Sequence, residues 1–290
     1  MKILIIGSTG MLGRSLFKVL SREVGIDVIT AGRSPFSQSA NHIEVDLTDD
    51  NSALRILECE PEVVIYCAAN TSITLCEKNK DYAELIHATF PGEISKRVRR
   101  FFYISTDSVF DGKNAPYGEN DKINPKNFYA LSKVMGEKAV LKNCNRSVVI
   151  RTNMYGIESS RKASLVEWAI DNLEKNNEIF GFTDLFFNAI YTEQLANAIL
   201  FLLEKEFSGT INVAGNYSVS KFEFLQLFAR RAGYSDQLII PKESSSFFSV
   251  SRPKNTTLSV SLLKQLGFDD LELETGLEML MENLYGNCQN

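Results

Sequence analysis

Short apolar runs alternate with helix-length segments through the first half of the chain. Ile3-Leu4-Ile5-Ile6 and Val63-Val64-Ile65-Tyr66 are apolar at consecutive positions, the pattern of strands covered on both faces by helices. Strands are predicted over residues 2–7, 27–31, 43–46, 63–67, 101–105 and 147–151. Between them, residues 11–22, 51–60, 73–88 and 125–143 have helical spacing and length. Repeated strand–helix units imply right-handed crossovers and an α/β fold with a Rossmann-like, doubly wound parallel sheet. After about residue 151 the rhythm changes. Helices over 165–175 and 193–205 flank a loop rich in aromatics, Ile179-Phe180-Gly181-Phe182 through Phe186-Phe187. A strand over 209–213, a helix over 221–232 and the serine-rich loop Ser244-Ser245-Ser246 follow.

Composition narrows the class. The 290 residues carry 31 Lys and Arg against 36 Asp and Glu, a net charge of −5, with 44% hydrophobic and 23% charged residues. This is globular usage, which excludes a disordered chain and gives one large domain or two. The acidic balance offers no general attraction to nucleic acid. The basic cluster Lys96-Arg97-Val98-Arg99-Arg100 reads as a solvated helix C-terminus. No apolar run reaches the roughly 20 residues of a membrane span, and Gly7 ends the first one too early for a signal peptide. Five cysteines without a CxxC pair read as reduced thiols of a cytoplasmic protein. Two histidines leave little room for a histidine metal site or a Ser-His-Asp triad, and no metal is expected.

Gly7-Ser8-Thr9-Gly10-Met11-Leu12-Gly13 follows the first strand and opens the first helix, a GxxGxxG loop in the context a dinucleotide requires. The first glycine permits the turn, the second lets backbone approach a pyrophosphate, and the third lets helix and strand pack. Residues 1–152 are therefore read as the dinucleotide-binding domain. Residues 153–290 are read as mainly a smaller α/β substrate lobe over the open end of the sheet, with later segments returning to the main sheet. The second strand ends Ile29-Thr30-Ala31-Gly32-Arg33 with no acid to accept a ribose 2′-hydroxyl. Arg33 can instead pair with a 2′-phosphate, which predicts NADPH, with NADH as the alternative; Arg14 is a second candidate. Asp46 ends the third strand where an adenine amino group would lie, and equally suits a helix N-cap.

The fifth strand runs into Ser105-Thr106-Asp107-Ser108, and the helix predicted from Asn124 (N-cap) and Pro125 (first turn) carries Tyr129 and Lys133 on one face. A phenol is a reluctant proton donor near neutral pH, and a nearby ammonium is expected to lower its pKa. A phenol so tuned can protonate an oxyanion as hydride reaches a carbonyl carbon. Thr106 can hydrogen-bond the same oxygen, with Ser105 as the fallback.

These residues resemble the extended short-chain dehydrogenase/reductases and, within them, the dTDP-4-dehydrorhamnose reductases and related nucleotide-sugar 4-ketoreductases. The glycine loop, Cys67-Ala68-Ala69-Asn70-Thr71, Cys76-Glu77, Ser105-Thr106-Asp107-x-Val109-Phe110-Asp111-Gly112, Gly136-Glu137, Arg151-Thr152 and Arg252-Pro253-x-Asn255 carry the likeness. It implies a Thr106/Tyr129/Lys133 triad, with Lys133 also holding the nicotinamide ribose. It implies cofactor contacts at Gly7, Thr9, Gly10, Met11, Leu12, Gly13, Arg33, Asp46, Leu47, Ala68 and Ala69. A nucleotide sugar would meet Thr106, Asp107, Ser108, Met154 and Arg252, and the resemblance allows a homodimer. Ser108 and Met154 replace a usual tyrosine and tryptophan, Thr74-Leu75 a usual Asp-Lys, and His87 a common asparagine. These changes bear on the sugar rather than on the cofactor, and His87 reads as a satisfied structural histidine, with a polar residue of the pocket as the alternative. Asp107 is followed by Ser108, so the paired carboxylates of a 4,6-dehydratase are missing, and Arg33 speaks against an epimerase holding NAD. The other alternative is an NADP-binding regulatory module, resembling the regulatory subunit of methionine adenosyltransferase.

Overall fold

Alternate residues of each central strand point to opposite sides of one sheet, and that period of two builds two cores. In the computed structural model, which describes residues 1–158, 164–246 and 253–286, the first half contains six strands. They are β1 (Lys2–Ile6), β2 (Asp27–Gly32), β3 (His42–Glu44), β4 (Val63–Tyr66), β5 (Arg100–Ile104) and β6 (Ser147–Arg151). Its helices are α1 (Met11–Leu20), α2 (Ser52–Leu57), α3 (Ile73–Lys78), α4 (Lys80–Glu84), α5 (Phe90–Ser95) and α6 (Phe128–Asn143). The chain continues through β7 (Met154–Tyr155), α7 (Leu165–Leu173), β8 (Ile179–Phe182), β9 (Phe186–Phe187), β10 (Ile190–Tyr191), α8 (Thr192–Glu204) and β11 (Gly209–Asn212). It then forms β12 (Val219–Ser220), α9 (Lys221–Arg231), β13 (Ile239–Lys242), α10 (Ser261–Leu266) and α11 (Leu273–Tyr285).

Seven strands form one parallel sheet in the order β3-β2-β1-β4-β5-β6-β11. Ile3 and Ile5 pack with Leu12 and Leu16 of α1 and Leu195 and Leu202 of α8. Leu4 and Ile6, one residue out of phase, pack with Phe90 and Ile94 of α5 and Val140 of α6. A third core, built from α7, α9, α11 and the short strands, lies in the second half and includes Val166, Phe224, Phe228 and Leu277. The crossovers leave β1 and β4 in opposite directions, which opens a crevice beyond their C-terminal ends.

Several elements differ from expectation for local reasons. The helix expected over 73–88 breaks at Asn79, whose side chain caps the next turn by accepting from the Tyr82 amide at 3.1 Å. It then widens into a π-helical turn, Leu85–Thr89, ahead of α5, whose second residue, Pro91, has no N–H for a regular ladder. The carbonyls of Ile86 and His87 in that turn accept instead from the hydroxyls of Tyr66 (2.7 Å) and Tyr103 (2.6 Å). Helix α6 starts at Phe128 rather than Pro125. Asn127 is its cap, accepting from the Ala130 amide at 2.9 Å, while the Asn124 side chain donates to Asp111. The aromatic loop contains strands: β8 pairs with β13, and β9 with β12.

Candidate active site

The glycine loop closes the lower wall of the crevice. Gly7 adopts φ +89°, and a Cβ there would lie 2.7 Å from the Ala68 amide nitrogen. At Gly13 a Cβ would lie 2.3 Å from the Gly7 carbonyl, so both positions are fixed by packing within the protein. Gly10 is different: its Cβ would make only an ordinary contact, 3.5 Å from the Gly7 carbonyl. What a side chain at Gly10 would obstruct is the cleft itself, since Gly7, Gly10, Met11, Leu12 and Gly13 line it. Gly10 caps α1 with no side-chain hydrogen bond, which leaves first-turn amides for an anion. This cradle fits the pyrophosphate of a dinucleotide.

Toward β2 the cleft is lined by Thr9, Arg14, Arg33, Ser34, Asp46, Leu47, Ala68 and Ala69. Arg14 donates from Nε to the Thr9 carbonyl at 3.0 Å, and its guanidinium lies 5.4 Å over the Phe36 ring. Both arginine candidates thus share one end of the cleft. Asp46 Oδ1 accepts from the amide and hydroxyl of Thr48 at 2.9 and 2.8 Å. Those bonds hold its carboxyl below the usual range, with a smaller contribution from Arg33. Asp46 caps its own turn and lines the cleft; α2 begins later, after Asn51.

The other end, a cavity of about 620 Å³, is lined by Asn70, Leu75, Ser105, Tyr129, Lys133 and Met154, among others. Lys133 is 2% exposed; Nζ donates to the Ile104 carbonyl at 2.6 Å and sits 4.1 Å from the Tyr103 ring centroid. Burial pushes its ammonium down to about 7, with Glu137 opposing. Burial pushes the Tyr129 phenol up to about 12; a hydrogen bond with Thr106 lowers it, and Asp107 and Cys76 raise it. The lysine was expected to draw the phenol down. Desolvation prevails instead, because both charged forms lose water on burial and gain little in return. Because the folded lysine binds its proton less tightly than the unfolded one, stability rises with pH from about 7 toward its ordinary 10.5. Lys133→Met is expected to melt above the wild type at about pH 6.5, and the gap should narrow by about pH 9.5. A gap independent of pH would show that the folded lysine holds its proton as tightly as the unfolded one and stays charged across this range.

Helix α6 places Tyr129, Lys133 and Glu137 one turn apart on a single face. Glu77 from α3 accepts from the Phe128 amide at 2.7 Å, a second cap for that helix. Glu137 receives Arg151 in a forked pair, Nε at 3.0 Å and an NH₂ nitrogen at 2.9 Å, and also accepts from the Ser105 hydroxyl. Residue-level reasoning gave no role to Glu77, Glu137 or Arg151, although a glutamate one turn beyond Lys133 was a visible signal.

Ser105 lines the cleft, yet its hydroxyl serves Glu137. Thr106 is 6% exposed and reaches the cleft through its bond with Tyr129. Asp107, expected against substrate, is 3% exposed and filled by protein donors. Its Oδ1 accepts from Thr106 (3.2 Å) and Ser108 (3.3 Å), and its Oδ2 from Asn153 (2.8 Å) and Thr256. The carboxylate ties the strand-end loop to the later chain instead of facing the cleft. The Ser108 hydroxyl points to that carboxylate, while Met154 lines the cavity. Arg252 lies outside the described residues. Among the described residues no group of three or more His, Cys, Asp or Glu could hold a metal, and no helix is long and apolar enough to cross a membrane.

Comparison with known proteins agrees with this geometry. The family model described as the RmlD substrate binding domain matches residues 1–285. Methionine adenosyltransferase 2 subunit beta of Bos taurus is 30% identical over 92% of this chain and 82% of its own length. A Haloferax volcanii protein named "Probable low-salt glycan biosynthesis reductase Agl14" is 30% identical over 95% of this chain and 96% of its own. Among solved structures, the dTDP-4-dehydrorhamnose reductase of Bacillus anthracis in complex with NADP superposes with a TM-score of 0.85. It is 26% identical, covering 97% of this chain and 99% of its own.

Proposed function

We propose, from the premise that the chain belongs to the RmlD substrate binding domain family, that it is an NADPH-dependent reductase of the 4-keto group of a nucleotide-linked deoxysugar. The observation that carries this reading is the position of Tyr129 and Lys133 on the same cleft as the glycine loop. The likeness to a dTDP-4-dehydrorhamnose reductase in complex with NADP and to a protein named as a glycan biosynthesis reductase supports it. On this reading residues 1–152 hold the dinucleotide, and residues 153–290 mainly face the sugar.

The loop amides and α1 would hold the pyrophosphate, Arg33 and Arg14 the 2′-phosphate, and Lys133 the nicotinamide ribose. When bound, the reduced nicotinamide supplies hydride to a carbonyl carbon. Tyr129 donates its phenolic proton to the carbonyl oxygen, and Thr106 hydrogen-bonds the phenol. A donor must hold its proton before the step, so a phenol near 12 suits the reducing direction. Lys133, once a ligand has given its ammonium further hydrogen bonds, stabilises the phenolate left behind.

The test is a panel of nucleotide-linked keto-sugars followed by NADPH absorbance; no oxidation with any of them would overturn the proposal. Arg33→Ala is expected to raise KM for NADPH about tenfold and leave that for NADH unchanged, given the strength of a charge-assisted hydrogen bond. Equal effects on both cofactors would remove Arg33 from 2′-phosphate recognition.

A second reading rests on the 30% identity with methionine adenosyltransferase 2 subunit beta. On it the chain binds NADP and serves as partner to a larger catalytic subunit. Co-purification with such a subunit and absence of ketone reduction would favour it.

A further inference from the structure

His87 stands in the π-helical turn behind Tyr129, wholly buried, and both of its ring nitrogens are engaged. Nε2 lies 3.0 Å from the amide nitrogen of Asn70. A backbone N–H can only donate, so Nε2 must carry a lone pair, and the one proton of a neutral imidazole sits on Nδ1. Nδ1 lies 2.7 Å from Ser132 Oγ, and that hydroxyl donates onward to the Tyr129 carbonyl at 2.9 Å. The imidazole also stands edge-on to the Tyr129 ring, with centroids 5.6 Å apart and planes at 86°. Asn70 also lines the cleft, so one imidazole joins a cleft-lining loop to the helix that carries Tyr129.

The backbone around His87 is held as firmly. Its carbonyl accepts from Tyr103, and a Cβ at Gly136 would lie 2.0 Å from that carbonyl, so α6 rests directly on the turn. Protonation would set an Nε2 proton against the Asn70 amide. It would also place a second positive charge near Lys133, with Tyr129 and Tyr103 the other titratable groups beside the ring. Burial, then Lys133, pushes the imidazolium down to about 3.

We propose that His87 is a positioning residue: as a fixed Nδ1–H tautomer it locks the Asn70 loop to the first turn of α6 and so sets where the Tyr129 phenol stands across the cleft. Its catalytic consequence rests on the reading of Tyr129 as proton donor; its tautomer does not. It goes beyond a merely satisfied histidine because the chain of bonds ends on the residue that must be aimed.

Two measurements separate these layers. The chain has only two histidines, so long-range ¹H–¹⁵N spectra with His42→Asn as the assignment control resolve the His87 ring. The expected result is a protonated Nδ1 and bare Nε2, unchanged between about pH 8 and about pH 5.5. An Nε2–H tautomer, or titration in that range, would overturn the proposal whether or not the protein reduces any ketone. The second is kinetic, with the keto-sugar that the wild type reduces. His87→Phe keeps a ring against Tyr129 but loses both bonds, and is expected to lower kcat about tenfold or more. Ser132→Ala removes only the middle link and should cost about threefold to tenfold, while Kd for NADPH stays within about twofold in both. Unchanged kcat in either variant, or a parallel loss of NADPH binding, would show an ordinary structural histidine. If His87→Phe fails to fold, Ser132→Ala carries the kinetic test.

Discussion

Tyr129→Phe is expected to lower kcat for ketone reduction by about 10²–10⁴-fold, the usual contribution of a positioned general acid, while Kd for NADPH changes less than about twofold. The substitution removes one oxygen. The ring keeps its edge-on contact with His87, and the caps of α6 at Glu77 and Asn127 are untouched. What disappears is the proton that must reach the alkoxide oxygen as it forms, together with one of the hydrogen-bond partners of Thr106, which keeps its bond to Asp107. The pH profile gives an independent check. A donor held near 12 stays protonated across the neutral range, so phenol ionisation should cause no fall in reduction below about pH 9. Unchanged turnover in the variant, measured by NADPH absorbance with the preferred keto-sugar, would take Tyr129 out of the mechanism.

Glu137→Gln is expected to destabilise the protein by about 3–5 kcal/mol in urea unfolding, the range for breaking a buried ion pair from one side. Glu137 and Arg151 have side chains only 4% and 7% exposed. An amide at position 137 leaves the guanidinium with its charge, its desolvation and no counterion. It also weakens the acceptor of the Ser105 hydroxyl. Replacing both partners by apolar residues, as in Glu137→Leu with Arg151→Met, should recover much of the loss, because the penalty comes from the stranded charge rather than from the missing bond. A loss below about 1 kcal/mol in the single variant would mean that water reaches the pair. There is a functional arm too: Glu137 opposes the burial that drives the Lys133 ammonium down. Without it the lysine should lose its proton at lower pH, and turnover that needs the charged lysine should fall earlier on the alkaline side.

The central strands were legible because their signal is local. A run such as Val63-Val64-Ile65-Tyr66 excludes water on both faces wherever it sits, and its observed strand, Val63–Tyr66, shows this. The glycine loop was legible for the same kind of reason, since Gly7 and Gly13 are required by contacts a few residues away or one strand over. The second half was less so. Two-residue strands such as β9 and β12 have too few positions for a period, and they exist because they find each other across the fold. The sequence leaves the start of α6 ambiguous, because Asn124-Pro125 and Asn127 offer equivalent local signals. The choice fell to Glu77, about fifty positions earlier in the chain, which satisfies the Phe128 amide.

The candidate site divides along the same line. By itself the sequence determined the doubly wound sheet, the cradle for a dinucleotide and the shared face of Tyr129 and Lys133, each a matter of spacing within one or two elements. Long-range packing is what pushes the phenol up rather than down, turns Asp107 inward, and sets His87, Glu137 and Arg151 behind the helix. Those outcomes depend on desolvation and on partners distant in sequence, and both are properties of the packed interior rather than of any segment.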